Sequence, residues 1–356
     1  MNKTKKVLLA MSGGIDSSVS AMLLKEQGFD VTGIYFDLWK YADTGKNINK
    51  ISIKNIKQVS KLIDMQYIVE DVKFRFKDKV VNYFIEQLSY GNTPNPCIIC
   101  NPSIKMALLM EVALRIGAEK IATGHYARIK FESGSFQLLK AADLSKDQSY
   151  VLHQLNQDHL SKLIFPLGDL SKDQVRKYGY DFGFDFVNQS ESQDLCFLSG
   201  LDYRKFLIDF SPSLVNPGEI VDIQGQILGK HNGLAFYTIG QRKGIGLSDS
   251  RPFFVFEKDF VNNRLIIAHM EELGKDTLLV DKVNWIDGQE PKASFEAFVK
   301  IRYKSNLLEG IIIPSNNGKV IVKFDKKLRD ITPGQYAVFY QDDIVLGGGM
   351  ISEKNP

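Results

Sequence analysis

The sequence is poor in tryptophan, histidine and cysteine, and it has no internal repeat and no low-complexity tract. The apolar run that follows the lysines at positions 3, 5 and 6 covers only residues 7–11. Such a run is too short for a secretion signal or a membrane span. We therefore expect a cytoplasmic protein without a membrane partner, and its 356 residues allow two or three domains.

Neither sign of charge predominates in the chain. The sequence has 45 Lys and Arg against 42 Asp and Glu, a net charge of +3. Any surface that binds nucleic acid must therefore be local. The chain has three cysteines, and in a reducing compartment an odd number favours chemistry or metal binding over structural disulfides.

A glycine-rich loop follows the first predicted strand. Residues 7–11 are apolar, Gly13 and Gly14 come next, and an amphipathic helix follows. Glycines allow main-chain N–H groups to approach an anion, and a helix N-terminus favours negative charge, so this loop is a predicted phosphate cradle. We expect the Asp-Ser-Ser triplet at 16–18 to cap the helix. No lysine follows the glycines, which excludes a Walker A loop; a plain βα turn is the alternative.

The first half of the chain alternates strands and helices, which predicts an α/β fold with a doubly wound parallel sheet. Ligands of such sheets bind at the carboxyl ends of the strands. We therefore expect residues 11–17, Phe36, Gly124 and His125 to converge on one nucleotide. The predicted strands cover 29–36, 67–69 and 120–124, and the predicted helices cover 52–64, 74–88 and 103–116.

Glycine-punctuated short strands dominate from residue 218 onward, and alternating strands are predicted at 298–303 and 319–324. The last segment is typical of a small β-barrel. We expect a catalytic domain over 1–200, a small β-rich linker domain over 201–273 and a C-terminal barrel over 274–356.

Two thiols, Cys97 and Cys100, come directly before a predicted helix, and Cys196 is distant in sequence. The helix dipole is expected to lower the pKa of the first two. The pair suits reactive or metal-binding thiolates, whereas a buried, inert cysteine is the simpler alternative for Cys196.

A basic strip covers residues 291–330. It holds nine Lys and Arg against four Asp and Glu, interleaved with Phe298, Tyr303 and Phe324. Such a strip suits the phosphates and stacked bases of RNA loops, and a solvated β surface is the alternative.

Seven motifs together resemble the tRNA-specific 2-thiouridylase family, and the first of them resembles the pyrophosphate loop of ATP pyrophosphatases. The similarity extends along nearly the whole chain. The motifs are Ser-Gly-Gly-Ile-Asp-Ser (12–17), Thr-Pro-Asn-Pro (93–96) with Cys-Asn (100–101), Ala-Thr-Gly-His-Tyr-Ala (122–127), Lys-Asp-Gln-Ser-Tyr (146–150), Phe-Pro-Leu-Gly (165–168), Ser-Gln-Asp (192–194) with Cys-Phe (196–197), and Tyr-Thr-Ile-Gly-Gln-Arg-Lys-Gly (237–244).

The resemblance implies that ATP, with Mg²⁺, adenylates O2 of the wobble uridine of tRNA. AMP is then displaced by sulfur, with Cys196 as the persulfide carrier and Cys100 as the nucleophile, and pyrophosphate departs against the loop. The implied partners are tRNA and a sulfur donor such as a cysteine desulfurase or a sulfur relay protein.

The resemblance also implies the site residues. ATP would contact Leu9, Ala10, Met11, Ser12, Gly13, Gly14, Ile15, Asp16, Ser17, Phe36 and Gly124. The target base would lie near Asn95, Pro96 and Cys97, and tRNA would contact His125, Lys146, Asp147, Gln148, Arg302, Tyr303 and Gln335.

Cys97 departs from the commoner family pattern, which has an aspartate at this position. The three thiolates could therefore hold a [4Fe-4S] cluster, with zinc as a less informative alternative. Two other functions remain open from the residues: an ATP-dependent ligase or amidotransferase that acts on a nitrogen acceptor, and a tRNA-binding protein with a structural zinc site.

Overall fold

The computed structural model describes residues 5–41, 48–189, 195–247, 249–315 and 318–352. A five-stranded parallel sheet occupies the first part of the chain, and its central strand is the one that precedes the glycine loop. This sheet confirms the predicted α/β fold. Its strands are β1 (Lys6–Ala10), β2 (Asp30–Asp37), β3 (Gln66–Asp71), β4 (Lys120–Thr123) and, after a hairpin of two further strands, β7 (Leu163–Ile164).

Seven helices are described in the first 210 residues, and two of them begin earlier than predicted. The second begins at Ile48 rather than 52. The fourth begins at Pro96 rather than 103, because proline at the first helical position already has a helical φ. The helices are α1 (Ile15–Glu26), α2 (Ile48–Leu62), α3 (residues 73–89), α4 (Pro96–Ile116), α5 (Gln157–Lys162), α6 (Lys172–Asp181) and α7 (Tyr203–Phe210).

Helix α4 contains a π-helical segment, Asn101–Met106, between two α-helical parts. Pro102 lies at the start of that segment and lacks the N–H that an α-helix would use there. Among the described residues, α4 is the one helix that is long and apolar enough to cross a membrane by length and composition. About half of it is buried, and its buried apolar side chains lie in two cores, with Ile104 in one and Leu109 in the other.

The middle part forms a four-stranded sheet, as the glycine-punctuated sequence predicted. Its strands are β8 (Gly218–Val221), β9 (Ile227–His231), β10 (Phe254–Asp259) and β11 (Arg264–Ala268). One continuous hydrophobic core joins this sheet to α3, with Phe76 and Phe84 on one side and Phe206 and Val255 on the other.

The C-terminal part is a closed antiparallel barrel of six strands, as predicted. One strand prediction was wrong at its end: residues 301–303 leave the strand after Lys300, because Arg302 and Ser305 form a hydrogen-bonded turn. The barrel strands are β12 (Lys275–Trp285), β13 (Phe295–Lys300), β14 (Leu308–Ser315), β15 (Lys319–Leu328), β16 (Tyr336–Gln341) and β17 (Ile344–Ser352).

A hairpin from the first part of the chain extends the barrel sheet. It consists of β5 (Arg128–Glu132) and β6 (Ser135–Leu139), and β6 pairs with β17 through Leu139 and Ile344. The first 200 residues therefore contribute strands to two sheets.

Candidate active site

The glycine loop is held by close backbone contacts at the carboxyl end of β1. Gly13 has a φ of +78°, and a Cβ at this position would lie 2.5 Å from the carbonyl oxygen of Ser52. The buried side chain of Asn55 donates a hydrogen bond of 2.8 Å to the Gly13 carbonyl. Glycine is therefore required here both by conformation and by space.

Among the described residues, no side chain caps the N-terminus of α1, so the predicted capping by residues 16–18 was wrong. Gly14 is the N-cap residue, and the hydroxyls of Ser17 and Ser18 turn back and donate to its carbonyl at 3.1 and 2.9 Å. Serine hydroxyls inside a helix commonly make this bond to a preceding carbonyl. The first-turn N–H groups are thus left for a ligand, and the dipole favours an anion there.

Asp16 is the charged residue of the loop, and its Oδ1 accepts two hydrogen bonds. The hydroxyl of Tyr126 and the ammonium group of Lys172 each donate to it at 2.7 Å. Both partners come from distant parts of the sequence. The loop carboxylate is therefore oriented by tertiary contacts.

The other residues predicted to bind ATP lie around this loop. Leu9, Met11 and Ile15 point into the core, so only their backbone could face a nucleotide. A Cβ on Gly124 would lie only 3.1 Å from the Ser17 nitrogen. The end of β4 therefore lies close against the first turn of α1. Phe36 lies near the end of β2, two residues beyond the register partner of Ala10.

Helix α4 carries Cys97 and Cys100 and is called the cysteine helix; it begins with a defined N-cap. The side chain of Asn95 accepts a hydrogen bond of 3.2 Å from the Cys97 nitrogen, and Pro96 occupies the first helical position. Asn95 and Pro96 therefore set the start of the helix that carries two thiols.

The three cysteines gather at one place. Cys97 and Cys196 are exposed and Cys100 is buried. The charges of Cys97 and Cys196 raise the pKa of Cys100, and the charge of Cys97 raises the pKa of Cys196. Desolvation is the larger cause, and it raises the pKa of Cys100 to about 12 and that of Cys196 to about 11. The expected lowering of the pKa of Cys97 and Cys100 was wrong, because loss of hydration outweighs the helix dipole.

Phe197 anchors the third cysteine. Cys196 begins a short 3₁₀ turn, and the buried ring of Phe197 packs edge-on against Phe84 and Phe206 at 5.7 and 5.6 Å. The Phe197 carbonyl also accepts a hydrogen bond of 2.8 Å from the Tyr41 nitrogen. The Ser-Gln-Asp part of this motif, residues 192–194, lies outside the described residues.

Two cations lie near the thiols. Burial raises the pKa of all three cysteines, and the positive charge of Lys105 offsets part of that rise. Burial lowers the pKa of Lys40, and the charges of Asp37 and Cys196 offset part of that fall. Lys105 also contacts Nε2 of His125 at 3.4 Å, while Nδ1 of that ring lies 2.8 Å from the Thr123 hydroxyl. Burial lowers the pKa of His125 well below its usual value, so the ring is neutral.

The three thiols are not arranged to hold a single zinc ion. Within residues 5–41, 48–189, 195–247, 249–315 and 318–352, no three Cys, His, Asp or Glu side chains are arranged to hold a metal ion. A zinc site needs all its ligand atoms at bonding distance of one metal ion, whereas the thiolates of a [4Fe-4S] cluster bind different iron atoms. We derive no step through a cluster.

Several residues expected to contact tRNA make internal contacts. The Asp147 carboxylate accepts bonds from the nitrogens of Ala141 and Ser149, and Gln148 accepts one from the nitrogen of Tyr126. Lys146 lies in the same loop and is partly exposed.

On the barrel, Arg302 donates to the carbonyl of Ile239 at 2.8 Å and to the Thr332 hydroxyl. Tyr303 packs against Tyr150 at 6.0 Å, and Gln335 donates to the Thr93 carbonyl. Arg302, Tyr303 and Gln335 therefore lie where the barrel contacts the earlier parts of the chain.

Sequence analysis missed four residues of this site. Asn55, Tyr126 and Lys172 contact the loop and Lys105 influences the thiols, and of these Asn55 and Lys172 come from segments without a glycine or cysteine signal of their own. Tyr126 follows His125 in a quoted motif, which was one available signal.

The parallel sheet, its glycine loop and the open helix N-terminus define a nucleotide-binding protein of the pyrophosphate-loop class, which binds ATP. Three family models match in sequence order: the tRNA methyl transferase HUP domain over 5–200, the tRNA methyl transferase PRC-barrel domain over 204–269 and the aminomethyltransferase beta-barrel domain over 275–351. The chain belongs to the tRNA-specific 2-thiouridylase family.

Two relatives show how closely the chain matches that family. It is 40% identical to the tRNA-specific 2-thiouridylase MnmA of Clostridium perfringens over 352 residues, 98% of each chain. It is 41% identical to MnmA 1 of Thermoanaerobacter pseudethanolicus over an alignment of 362 positions, which covers 99% of this chain and all of the relative.

Among solved structures, the U34-tRNA thiolase NcsA of Methanococcus maripaludis with its [4Fe-4S] cluster superposes with a TM-score of 0.36 and 19% identity. The match covers 59% of this chain and 65% of that one. At this level of similarity it carries no conclusion about the cofactor of the present chain.

Proposed function

We propose that this chain is a tRNA 2-thiouridylase that adenylates O2 of the wobble uridine with ATP and replaces that oxygen with sulfur. One observation carries the proposal: three thiols lie close together in the same protein that contains the glycine loop. Cys100 and Cys196 are far apart in sequence, yet Cys100 lies in the same buried core as Phe197, the residue that follows Cys196.

In the activation step, O2 of the uridine attacks the α-phosphorus of ATP. The bond to the β-phosphate breaks and pyrophosphate leaves toward Gly13, Gly14 and the N-terminus of α1, whose N–H groups stabilise its charge. The base then carries AMP on O2, which is a far better leaving group than oxide. ATP contacts are assigned to residues 9–17, Phe36 and Gly124.

Mg²⁺ fits this loop as a partner of the phosphates. Asp16 is a partly exposed carboxylate beside the pyrophosphate position, and Mg²⁺ is commonly held by one or two carboxylates together with phosphate oxygens. Bound there, it would neutralise charge on the phosphates. The protein groups that act in this step remain the loop N–H groups and the Asp16 carboxylate.

In the sulfur step, the Cys100 thiolate attacks the inner sulfur of a persulfide on Cys196. A Cys100–Cys196 disulfide forms, and hydrosulfide leaves with the electron pair. Hydrosulfide attacks C2 of the uridine, AMP departs, and an external dithiol later reduces the disulfide. A separate sulfur donor, a cysteine desulfurase or a relay protein, supplies the persulfide.

The target base is assigned to Asn95, Pro96 and Cys97, at the exposed start of the cysteine helix. Residues 1–200 are assigned to catalysis, 201–273 to a linker domain and 274–356 to a barrel that contacts RNA. The tRNA contacts are assigned to His125, Lys146, Asp147, Gln148, Arg302, Tyr303 and Gln335.

Reconstitution with tRNA, ATP and a persulfide donor tests the proposal. We expect release of AMP and pyrophosphate that depends on tRNA, and 2-thiouridine detected by mass spectrometry. A matched tRNA with cytidine at the wobble position is the control and should support neither.

Serine variants of the two catalytic cysteines separate the steps. Cys100→Ser and Cys196→Ser should keep ATP–pyrophosphate exchange with tRNA but form no 2-thiouridine. Normal thiolation by either variant with the natural sulfur donor would contradict the assigned relay. AMP release without any tRNA requirement would point to a different acceptor.

A further inference from the structure

A buried lysine lies beside the pyrophosphate loop although the loop sequence contains none. The Lys172 ammonium group is 2.7 Å from Oδ1 of Asp16, and the Lys172 side chain is only 6% exposed. Lys172 comes from α6, more than 150 residues beyond the loop. A Walker A loop carries a lysine directly after its glycines, and this loop has none. The fold instead places the ammonium group of Lys172 beside the loop.

The backbone of Lys172 is fixed on both sides. Ser171 and Gln174 form a capping box at the start of α6, with bonds of 3.2 and 2.8 Å between side chains and backbone nitrogens. The Lys172 nitrogen donates at 3.0 Å to the Asp143 carboxylate. The ammonium group is therefore carried on a rigid support, as a group that positions an anion needs to be.

Helix α6 also packs directly on the loop helix. Gly179 has no Cβ, and the side chain of Ile15 occupies the space where one would lie. This close approach holds α6 against the first turn of α1. Lys172 and the open helix N-terminus are thereby parts of one packed unit.

Stability alone does not account for this ion pair. Desolvation of two charges commonly cancels most of the attraction between them, so a buried pair adds little net stability. The carboxylate of Asp16 would, however, repel the phosphates of ATP at the end of α1. A cation 2.7 Å from that carboxylate removes the repulsion and can also bind the phosphates.

We propose that Lys172 is a phosphate-binding residue of this site, whose ammonium group contacts the β- and γ-phosphates of ATP and the pyrophosphate that leaves. The lysine forms no covalent bond with the nucleotide. The inference rests on the ATP cleavage of the proposed function and is independent of tRNA recognition and of sulfur transfer.

Binding of magnesium pyrophosphate and of AMP to the full chain, measured by calorimetry, tests the proposal. Lys172→Met should weaken pyrophosphate binding about 10- to 100-fold, the loss expected for one charged hydrogen bond. AMP has no β- or γ-phosphate, so its affinity should change by less than about twofold. Lys172→Arg retains the charge and should recover part of the pyrophosphate affinity.

Lys120→Met is the matched control, because Lys120 is a partly buried lysine at the amino end of β4, the end of the sheet that faces away from the glycine loop. It should bind both ligands as the unchanged chain does. If Lys172→Met is unfolded, Lys172→Gln, which keeps a donor for Asp16, replaces it.

Two results would overturn the proposal. One is unchanged pyrophosphate affinity in a folded Lys172 variant, and the other is an equal loss of AMP and pyrophosphate affinity, which would make Lys172 structural. Failure of the unchanged chain to release AMP with tRNA would contradict the proposed function instead, and the pyrophosphate measurement would stand separately.

Discussion

The side chain of Gln335 in the barrel donates a hydrogen bond of 2.7 Å to the backbone carbonyl of Thr93. The Thr93 nitrogen in turn donates to the carbonyl of Pro333 at 2.9 Å. Both backbone groups of Thr93 are therefore held by the barrel, two residues before the N-cap of the cysteine helix. Docking of the barrel and placement of Cys97 and Cys100 are coupled through this contact.

Gln335→Leu should loosen that coupling. It removes the donor to the Thr93 carbonyl at a partly buried position, and we expect a loss of about 1–2 kcal/mol in the free energy of unfolding. Thiolation at saturating tRNA should fall as well, because the start of the cysteine helix is less fixed. Urea unfolding and single-turnover assays measure the two effects. Gln289→Leu, at an exposed position, should change neither.

Gly13→Ala should abolish ATP binding. The residue has a φ of +78°, and the added Cβ would meet the Ser52 carbonyl at 2.5 Å, so the loop must move away from α2. Gly28→Ala is a matched control with a φ of +83° and open space around the new Cβ. It should cost only about 1–2 kcal/mol of backbone strain. Equal ATP affinity in the two variants would contradict the assigned loop geometry.

Phe197→Ala should release the Cys196 turn. The ring lies in an aromatic core with Phe84 and Phe206, and its removal should cost about 3–5 kcal/mol in the free energy of unfolding. Thiolation should fall while pyrophosphate binding persists, since the glycine loop lies in a different part of the protein from Phe197. Phe131→Ala, at an exposed ring, is the control. Retention of full stability would show that the ring is not packed as described.

Thiol reactivity should rise steeply with pH. Desolvation raises the pKa of Cys196 to about 11 and that of Cys100 to about 12, so both are neutral near pH 7 in the free protein. Because the thiolate is the reactive form, the alkylation rate of exposed Cys196 should rise about tenfold per pH unit between 7 and 10. Mass spectrometry of labelled peptides measures each cysteine. A rate that levels off below pH 9 would contradict the raised pKa, and unfolding in urea should restore ordinary behaviour.

The order of strands and helices in the first half was predictable because apolar periodicity is a local property. The helix that begins at Pro96 was predicted to begin only at residue 103, just after Pro102. The helix instead continues through a π segment, which burial of Ile104 and Leu108 stabilises. Similarly, the strand expected to reach Tyr303 ends at Lys300, and the chain turns where the Arg302 nitrogen donates a hydrogen bond to the Ser305 hydroxyl.

The glycine loop, the cysteines and the order of motifs were determined by the sequence itself, since glycine conformation and thiol chemistry belong to the residue type. The partners of those residues were decided only by tertiary structure. Asp16 receives its cation from Lys172, Gly13 is held by Asn55, and the Cys100 thiol is protonated because the fold buries it. Charge interactions and desolvation depend on distance in space and on burial, and neither can be read from separation along the chain.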